Sequence, residues 1–518
     1  MAPIGQGSRR AASTQARRIQ IDAGGRADGE SADTTQGEVV VRSMPVRRTA
    51  VAALGVSIAV VAMSAAARAQ GAPGAPGDAP PGVLPGVKIG GSPNMHLVGH
   101  IPLGGYFRVM DDEIEQDPTR PYAYVSQARD RPGFTIIDLR DLANVKVLYH
   151  WSIEQPELHQ GLGGMDGKYF KLNNRYYYVQ SLQFSPGTPD ADLGAVVADV
   201  TGLPDTTKIR IVARLRDAAE PGGFHNTFIY RHSDGHIYLV TTVNGPHTNV
   251  YDLAKVVSTP DTAQWKVSEF PVPETETNSR FGRFGYHDFY LAYDPATHQD
   301  KFYGAGRGGY YVYDISNIKQ PKLITSITGS AGIAFGHTFT PDPTGRYGIA
   351  ETEYEYAPIR IFDLQPGLQG KVQTITRPVG AWTPDWHDLV HNHEVRWPFV
   401  FASSYEDGLQ VFSMYDPTHP VTVGWYYTCQ CTHEHGFGGP PAWEGTSVMQ
   451  GAFGIDIRNR DGLIMISDSN TGVWFFKMDG FNGWNGHDWG MPNISSVQDY
   501  DHGPEGAQAP AGKPAAMP

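Results

Sequence analysis

The chain has 518 residues, 60 of them Gly and 39 Pro, about a fifth of the sequence against a background nearer 12%. Charged residues make up 18% and aromatics 11%, which excludes a helical bundle or coiled coil as well as a disordered chain, and fits many short strands joined by Gly/Pro turns. The formal charge of −13 argues against nucleic acid as a partner, because phosphate binding needs clustered Lys and Arg.

Residues 1–43 are polar, Arg-rich and aperiodic, and no fold is expected of them. From Met44 the chain reads as a secretory signal peptide over 44–69. Arg47-Arg48 form a basic start, Ala50 to Ala66 an apolar run, and Ala67-Arg68-Ala69 a cleavage site. The predicted location is therefore periplasmic or secreted, by Sec or twin-arginine export. No stable membrane insertion is expected after cleavage; an uncleaved anchor is the alternative, although the run is barely long enough to span a bilayer. Met44 then becomes the expected true start. Residues 70–94 form a Gly/Pro linker, 95–480 the folded part and 481–518 a C-terminal tail.

Within 95–480 one pattern recurs: aromatic or β-branched residues, then usually Asp, then a turn. It appears as Gly133–Asp138, Ala195–Asp199, Thr248–Asp252, Tyr310–Asp314, Ile359–Asp363, Leu409–Met414 and Val473–Met478, at spacings of 49 to 64 residues. Most copies have a second strand just upstream, such as Tyr122–Val125 or Phe399–Ala402. Seven such units predict an all-β fold, a seven-bladed β-propeller. The last unit lacks a fourth strand, and His96–Ile101 has the character to supply it, so the propeller is expected to be closed by an N-terminal strand. Two β-sandwiches are the alternative architecture. Gly304–Gly309 fits the letters of a dinucleotide fingerprint but is followed by a strand, so it reads as a blade turn.

These residues resemble the LVIVD-repeat family of propeller proteins. The run Tyr311-Val-Tyr-Asp-Ile-Ser-Asn-Ile-Lys-Gln-Pro-Lys-Leu-Ile matches the repeat, and Thr135-Ile-Ile-Asp-Leu-Arg-Asp matches its first half. The resemblance implies the propeller and is neutral on activity.

The histidines carry the chemical information. His225, His287, His337 and the pair His391/His393 each precede or open the inner strand of units three to six. Equivalent positions on inner strands converge on the propeller axis, where four imidazoles can bind one transition metal. The expected ligands are His225, His287, His337 and His393, with Asn226, Asp288, Thr338 and Glu394 orienting the rings. Imidazole suits Cu or Fe(II) first, and Zn or Mn is compatible. His387, His391 and Glu394 are the expected catalytic groups, with His387 or His391 as base or fifth ligand. The alternative is that each His satisfies a blade-to-blade hydrogen bond. Units one, two and seven hold Met110-Asp111-Asp112, Met165-Asp166 and Phe453–Asp456 at the corresponding places, leaving room for substrate or water.

The arrangement is similar in architecture to the four-His iron site of carotenoid-cleaving oxygenases and to the copper-linked selenium-binding protein and methanethiol oxidase family, without the local motifs of either. Both likenesses imply redox chemistry at the axis. A second possible metal or redox site is Cys429, Cys431, His433 and His435, which holds the only cysteines of the chain; a disulfide or free thiols are equally compatible. Tyr286, Phe224, Phe335 and Trp386 are expected to wall a mouth for a small organic substrate. His232, His236, His247 and His298 are expected to be solvated.

The sequence thus points to an exported metal-dependent oxidase or oxygenase with a small-molecule substrate. The alternatives are a non-catalytic propeller binding a protein, glycan or metal, and a metal-assisted lyase or hydrolase.

Overall fold

The repeated strand pattern folds into seven antiparallel sheets arranged as the blades of a propeller. The computed structural model describes residues 90–501, except 104, 106–107, 130, 274–284, 387, 430–448 and 487–496. The signal peptide and most of the linker expected from the sequence lie outside the described residues. The repeated motif supplies the third strand of every blade: Gly133–Asp138, Leu193–Asp199, His247–Asp252, Gly309–Asp314, Ile359–Asp363, Gly408–Ser413 and Gly472–Met478. The recurring Asp has a local cause. Its carboxylate accepts a backbone N–H just downstream, as in Arg140 N to Asp138 Oδ1 at 3.0 Å, Thr201 N to Asp199 Oδ1 at 2.9 Å and Ser316 N to Asp314 Oδ1 at 2.9 Å. Each Asp therefore builds the turn that sends the chain to the outer strand.

The blades are buried on both faces, which is why alternation along the strands is weak. Seven apolar clusters fill the spaces between adjacent blades, such as Phe170, Val179 and Leu239 between the second and third and Ile349, Val400 and Phe412 between the fifth and sixth. Closure comes from the N-terminus. Met95–Ile101 is the outer strand of the seventh blade, with Met95 opposite Met478 and Ile101 opposite Val473. The end of the expected linker also pairs, Gly90 lying opposite Tyr427 on the outer edge of the sixth blade.

Packed structure continues beyond residue 480, into the expected tail. Phe481 and Trp484 join the cluster between the sixth and seventh blades. Gln498 and Tyr500 hydrogen-bond along Lys171 of the second blade, and the Gln498 amide donates to Glu113 at 2.7 Å. His232, expected in solvent, is 2% exposed, with Nε2 donating to the Ile315 carbonyl at 2.8 Å; the neighbouring blade covers it. Among the described residues no helix is long and apolar enough to cross a membrane.

The inner strands position the candidate site. They are Val109–Ile114, Gly161–Leu172, Thr227–Arg231, Tyr286–Asp294, Thr338–Pro341, Asn392–Arg396 and Ala452–Arg458. Several carry a bulge near their start, between Val109 and Asp112, Gly164 and Gly167, Tyr286 and Asp288, and Ala452 and Gly454. A bulge breaks the two-residue side-chain period and re-aims the residues beside it.

Candidate metal centre

At the start of the inner strands one structural position is occupied, blade by blade, by Met110, Met165, His225, His287, His337, His391 and Phe453. The next position holds Asp111, Asp166, Asn226, Asp288, Thr338, Asn392 and Gly454, and hydrogen bonds run round it. Thr338 Oγ1 donates to Asn392 Oδ1 at 3.0 Å, and Asn392 Nδ2 reaches Asp111 Oδ2 at 3.3 Å. Those bonds cross blade boundaries and hold the upper layer in register.

In the upper layer four imidazoles stand side by side. Ring centroids are 4.3 Å apart for His225 and His287, 3.9 Å for His287 and His337, and 4.8 Å for His337 and His391. Nitrogen ligands about 2 Å from an ion put ring centres about 3 Å from it, so neighbouring ligands at right angles have centroids about 4.5 Å apart. The observed spacings bracket that value. The imidazole beside His337 is His391, whereas His393 lies two residues further along the strand. His393 is 4% exposed, has neither ring nitrogen hydrogen-bonded and lines a cavity below the ring. The expected ligand set is thus brought together for His225, His287 and His337, and the fourth place is taken by the residue expected to be the base.

Three of the four imidazoles have Nδ1 held by the protein. His225 Nδ1 donates to Gln183 Oε1 at 2.7 Å and His391 Nδ1 donates to the Phe453 carbonyl at 2.7 Å. These partners can only accept, so the proton sits on Nδ1 and Nε2 carries the lone pair, the tautomer a metal requires. His337 Nδ1 is paired with the Glu351 carboxyl at 2.7 Å, leaving its Nε2 buried and without a hydrogen bond; His287 Nδ1 is likewise without one. Burial lowers the basicity of all four: His225 to about 4, His391 to about 3, and His287 and His337 well below the ordinary range. Near neutrality the four rings are uncharged and able to ligate.

A carboxylate completes the cluster. His287, His337 and Glu353 offer ligand atoms that all lie within 4.8 Å of one another and could hold a metal ion. Glu353 Oε2 is 3.6 Å from His337 Nε2. Burial raises the Glu353 carboxyl to about 7. The Tyr405 hydroxyl donates to its other oxygen, Oε1.

Below the imidazoles lies a chamber of about 60 Å³, lined among others by Asp112, Asp166, Lys168, Asp288, His393 and Asp456. Lys168 Nζ lies 2.8 Å from Asp166 Oδ1. Neither carboxyl oxygen of Asp112 has a hydrogen-bond partner. Glu394 also faces this chamber and accepts from Arg396 Nη1 at 2.7 Å, away from the imidazoles.

Of the other expected site residues, His387, Cys431, His433 and His435 lie outside the described residues. Cys429 is disulfide-bonded and buried. Phe335 faces the site, its ring 6.3 Å from His287. Phe224 and Tyr286 are instead core residues between blades, and Trp386 is 55% exposed. The rings against the imidazoles are Phe453, 3.6 Å from His391, and Tyr405, 5.3 Å from it. Phe453 and Tyr405 share a cluster with Met110, Met165, Ala128 and Leu389, so the side of the ring without histidines is apolar.

Sequence reasoning passed over Gln183 and Tyr405. Both occupy a second repeat position, the end of the second strand, which bridges to the start of the next blade: Gln183 to Gly223 and Tyr405 to Ala452. Aligning those strand ends, as the histidines were aligned, would have found them.

No family model matches the chain, and no curated protein sequence does. Among solved structures, the crystal structure of Raptor from Chaetomium thermophilum is similar at 11% identity with a TM-score of 0.47. That match covers 74% of this chain and 29% of Raptor, so the chain spans under a third of that protein's length.

Proposed function

We propose that this chain is an exported metal-dependent enzyme, an oxidase or oxygenase acting on a small organic substrate at the axial end of a propeller. The observation that carries the reading is the run of four uncharged imidazoles from four consecutive blades, with Nδ1 of His225 and His391 committed to acceptors. His225, His287, His337 and His391, with Glu353 beside them, would hold the ion. A neutral imidazole set with one carboxylate suits Fe(II) or Cu, and also Zn or Mn. The ion would supply Lewis acidity or one-electron chemistry.

The protein's own part is to bind and orient. Met110, Met165 and Phe453 give the facing wall an apolar character that favours a small, uncharged substrate and excludes water. Glu353, its Oε1 accepting from the Tyr405 hydroxyl, would present Oε2 on the His337 side. The likeness to four-His and copper-linked propellers, and the leader read at 44–69, agree with a periplasmic or secreted redox protein. The position of Glu353 also favours a second reading, a metal-assisted lyase or hydrolase in which the imidazoles alone hold the ion and that carboxyl, raised to about 7 by burial, is the base.

Metal analysis of the purified protein, followed by oxygen-consumption assays on a panel of small organic compounds, tests the proposal. Stoichiometric Fe or Cu, lost on combining His225→Ala with His337→Ala, is the expected result. Stoichiometric Zn with no oxygen consumption would move the assignment to the lyase or hydrolase. Absence of bound metal, or metal unaffected by the double substitution, would leave a non-catalytic binding propeller.

A further inference from the structure

Tyr405 follows the second strand of the sixth blade, Phe399–Ser404, and its backbone has φ of 28°. A bulky side chain is rarely found at positive φ, and such outliers persist where the surroundings over-determine them. Here they do. The Tyr405 carbonyl accepts from Gly408 N at 3.0 Å within its own turn and from Ala452 N at 2.8 Å on the next blade. The residue is 1% exposed. Its ring meets His391 edge-on at 5.3 Å and 74°, and Phe453 at 6.1 Å and 82°. The phenol then reaches across to Oε1 of Glu353. Equivalent strand ends on the first and second blades carry Ala128 and Gln183, so the aromatic reach belongs to this blade and not to the repeat.

We propose that Tyr405 is a positioning residue of the metal centre, its phenol fixing Glu353 so that Oε1 is engaged and Oε2 is presented to the ion beside His337. The proposal rests on the metal-centre reading above. A carboxylate with both oxygens free can swing away or bind through both; a hydrogen bond to one of them leaves a single oriented donor. The strained backbone is the cost of aiming a phenol at a carboxylate on the neighbouring blade while keeping its ring on a ligand imidazole.

Co²⁺ titration of the metal-free full chain, read by visible absorption and calorimetry, is the test. Tyr405→Phe keeps the ring and removes the hydroxyl. It should weaken Co²⁺ binding about 10–100-fold and shift the visible band, which loss of packing alone would not do. Glu353→Asp, whose carboxylate is drawn back from the phenol, should shift the same band, and the two substitutions together should cost no more than the larger single one. Should Tyr405→Phe fail to fold, Tyr405→Asn places a residue tolerant of positive φ at the same position, and the same loss is expected. An unchanged band and affinity in the folded Tyr405 variant, or additive losses in the double variant, would overturn this proposal while leaving the metal centre intact. Failure of the wild-type chain to bind Co²⁺ would remove both.

Discussion

Nδ1 of His225 sits 2.7 Å from Oε1 of Gln183, an acceptor presented by the second strand of the preceding blade. One blade therefore carries the imidazole and its neighbour sets the tautomer, so a centre built this way depends on the packing of adjacent blades.

Gln183→Leu should leave the fold intact and lower metal affinity by about 10–100-fold, because the imidazole loses both its orientation and its fixed proton. Gln183→Glu restores an acceptor and should recover most of the loss. Calorimetric titration of the metal-free protein with Co²⁺ checks both.

His391 and His393 are two residues apart and face different environments. Replacement of His391 by Ala should cost more metal affinity than the roughly 10–100-fold of an outer-shell change, whereas His393→Ala should leave the metal stoichiometry unaltered. Metal content after dialysis against a weak chelator separates the two outcomes; equal loss in both would mean that the ion sits lower in the channel than the imidazole spacing implies.

Asp112 gives the stability a pH dependence. Burial first, then the neighbouring Asp111 and Asp456, push its carboxyl well above the ordinary range, so the folded chain holds a proton that the unfolded chain has released. Its contribution is benign at acid pH and becomes unfavourable as pH rises from the ordinary carboxyl range toward the folded-state value. Asp112→Asn, neutral throughout, should be nearly silent at pH 4 and stabilising by roughly 1–3 kcal/mol at pH 8. Urea unfolding at the two pH values measures the difference.

Ring closure should be sensitive to Gly99. A Cβ there would lie 2.3 Å from the Leu142 carbonyl oxygen, where the closing strand crosses the first blade's turn. Gly99→Val is expected to destabilise by roughly 1–3 kcal/mol and to lower the melting temperature, while Leu97→Thr on the exposed side of the same strand should stay within about 0.5 kcal/mol.

The sequence by itself determined the architecture, because a repeated strand–Asp–turn unit is local: Asp138, Asp199 and Asp314 close their turns with N–H groups two residues away. It also determined that histidines recur at the mouth of four consecutive blades. Tertiary structure decided which imidazole is fourth, since His391 and His393 are two residues apart, a full side-chain period of a strand, and only the approach of His391 to His337 separates them. It decided as well that Gln183 and Tyr405 belong to the centre. Gln183 serves His225 on the next blade, 42 residues away, and the Tyr405 phenol reaches Glu353 on the preceding one. Pairings of that kind are set by the packing of one blade on the next and leave no local pattern in the chain.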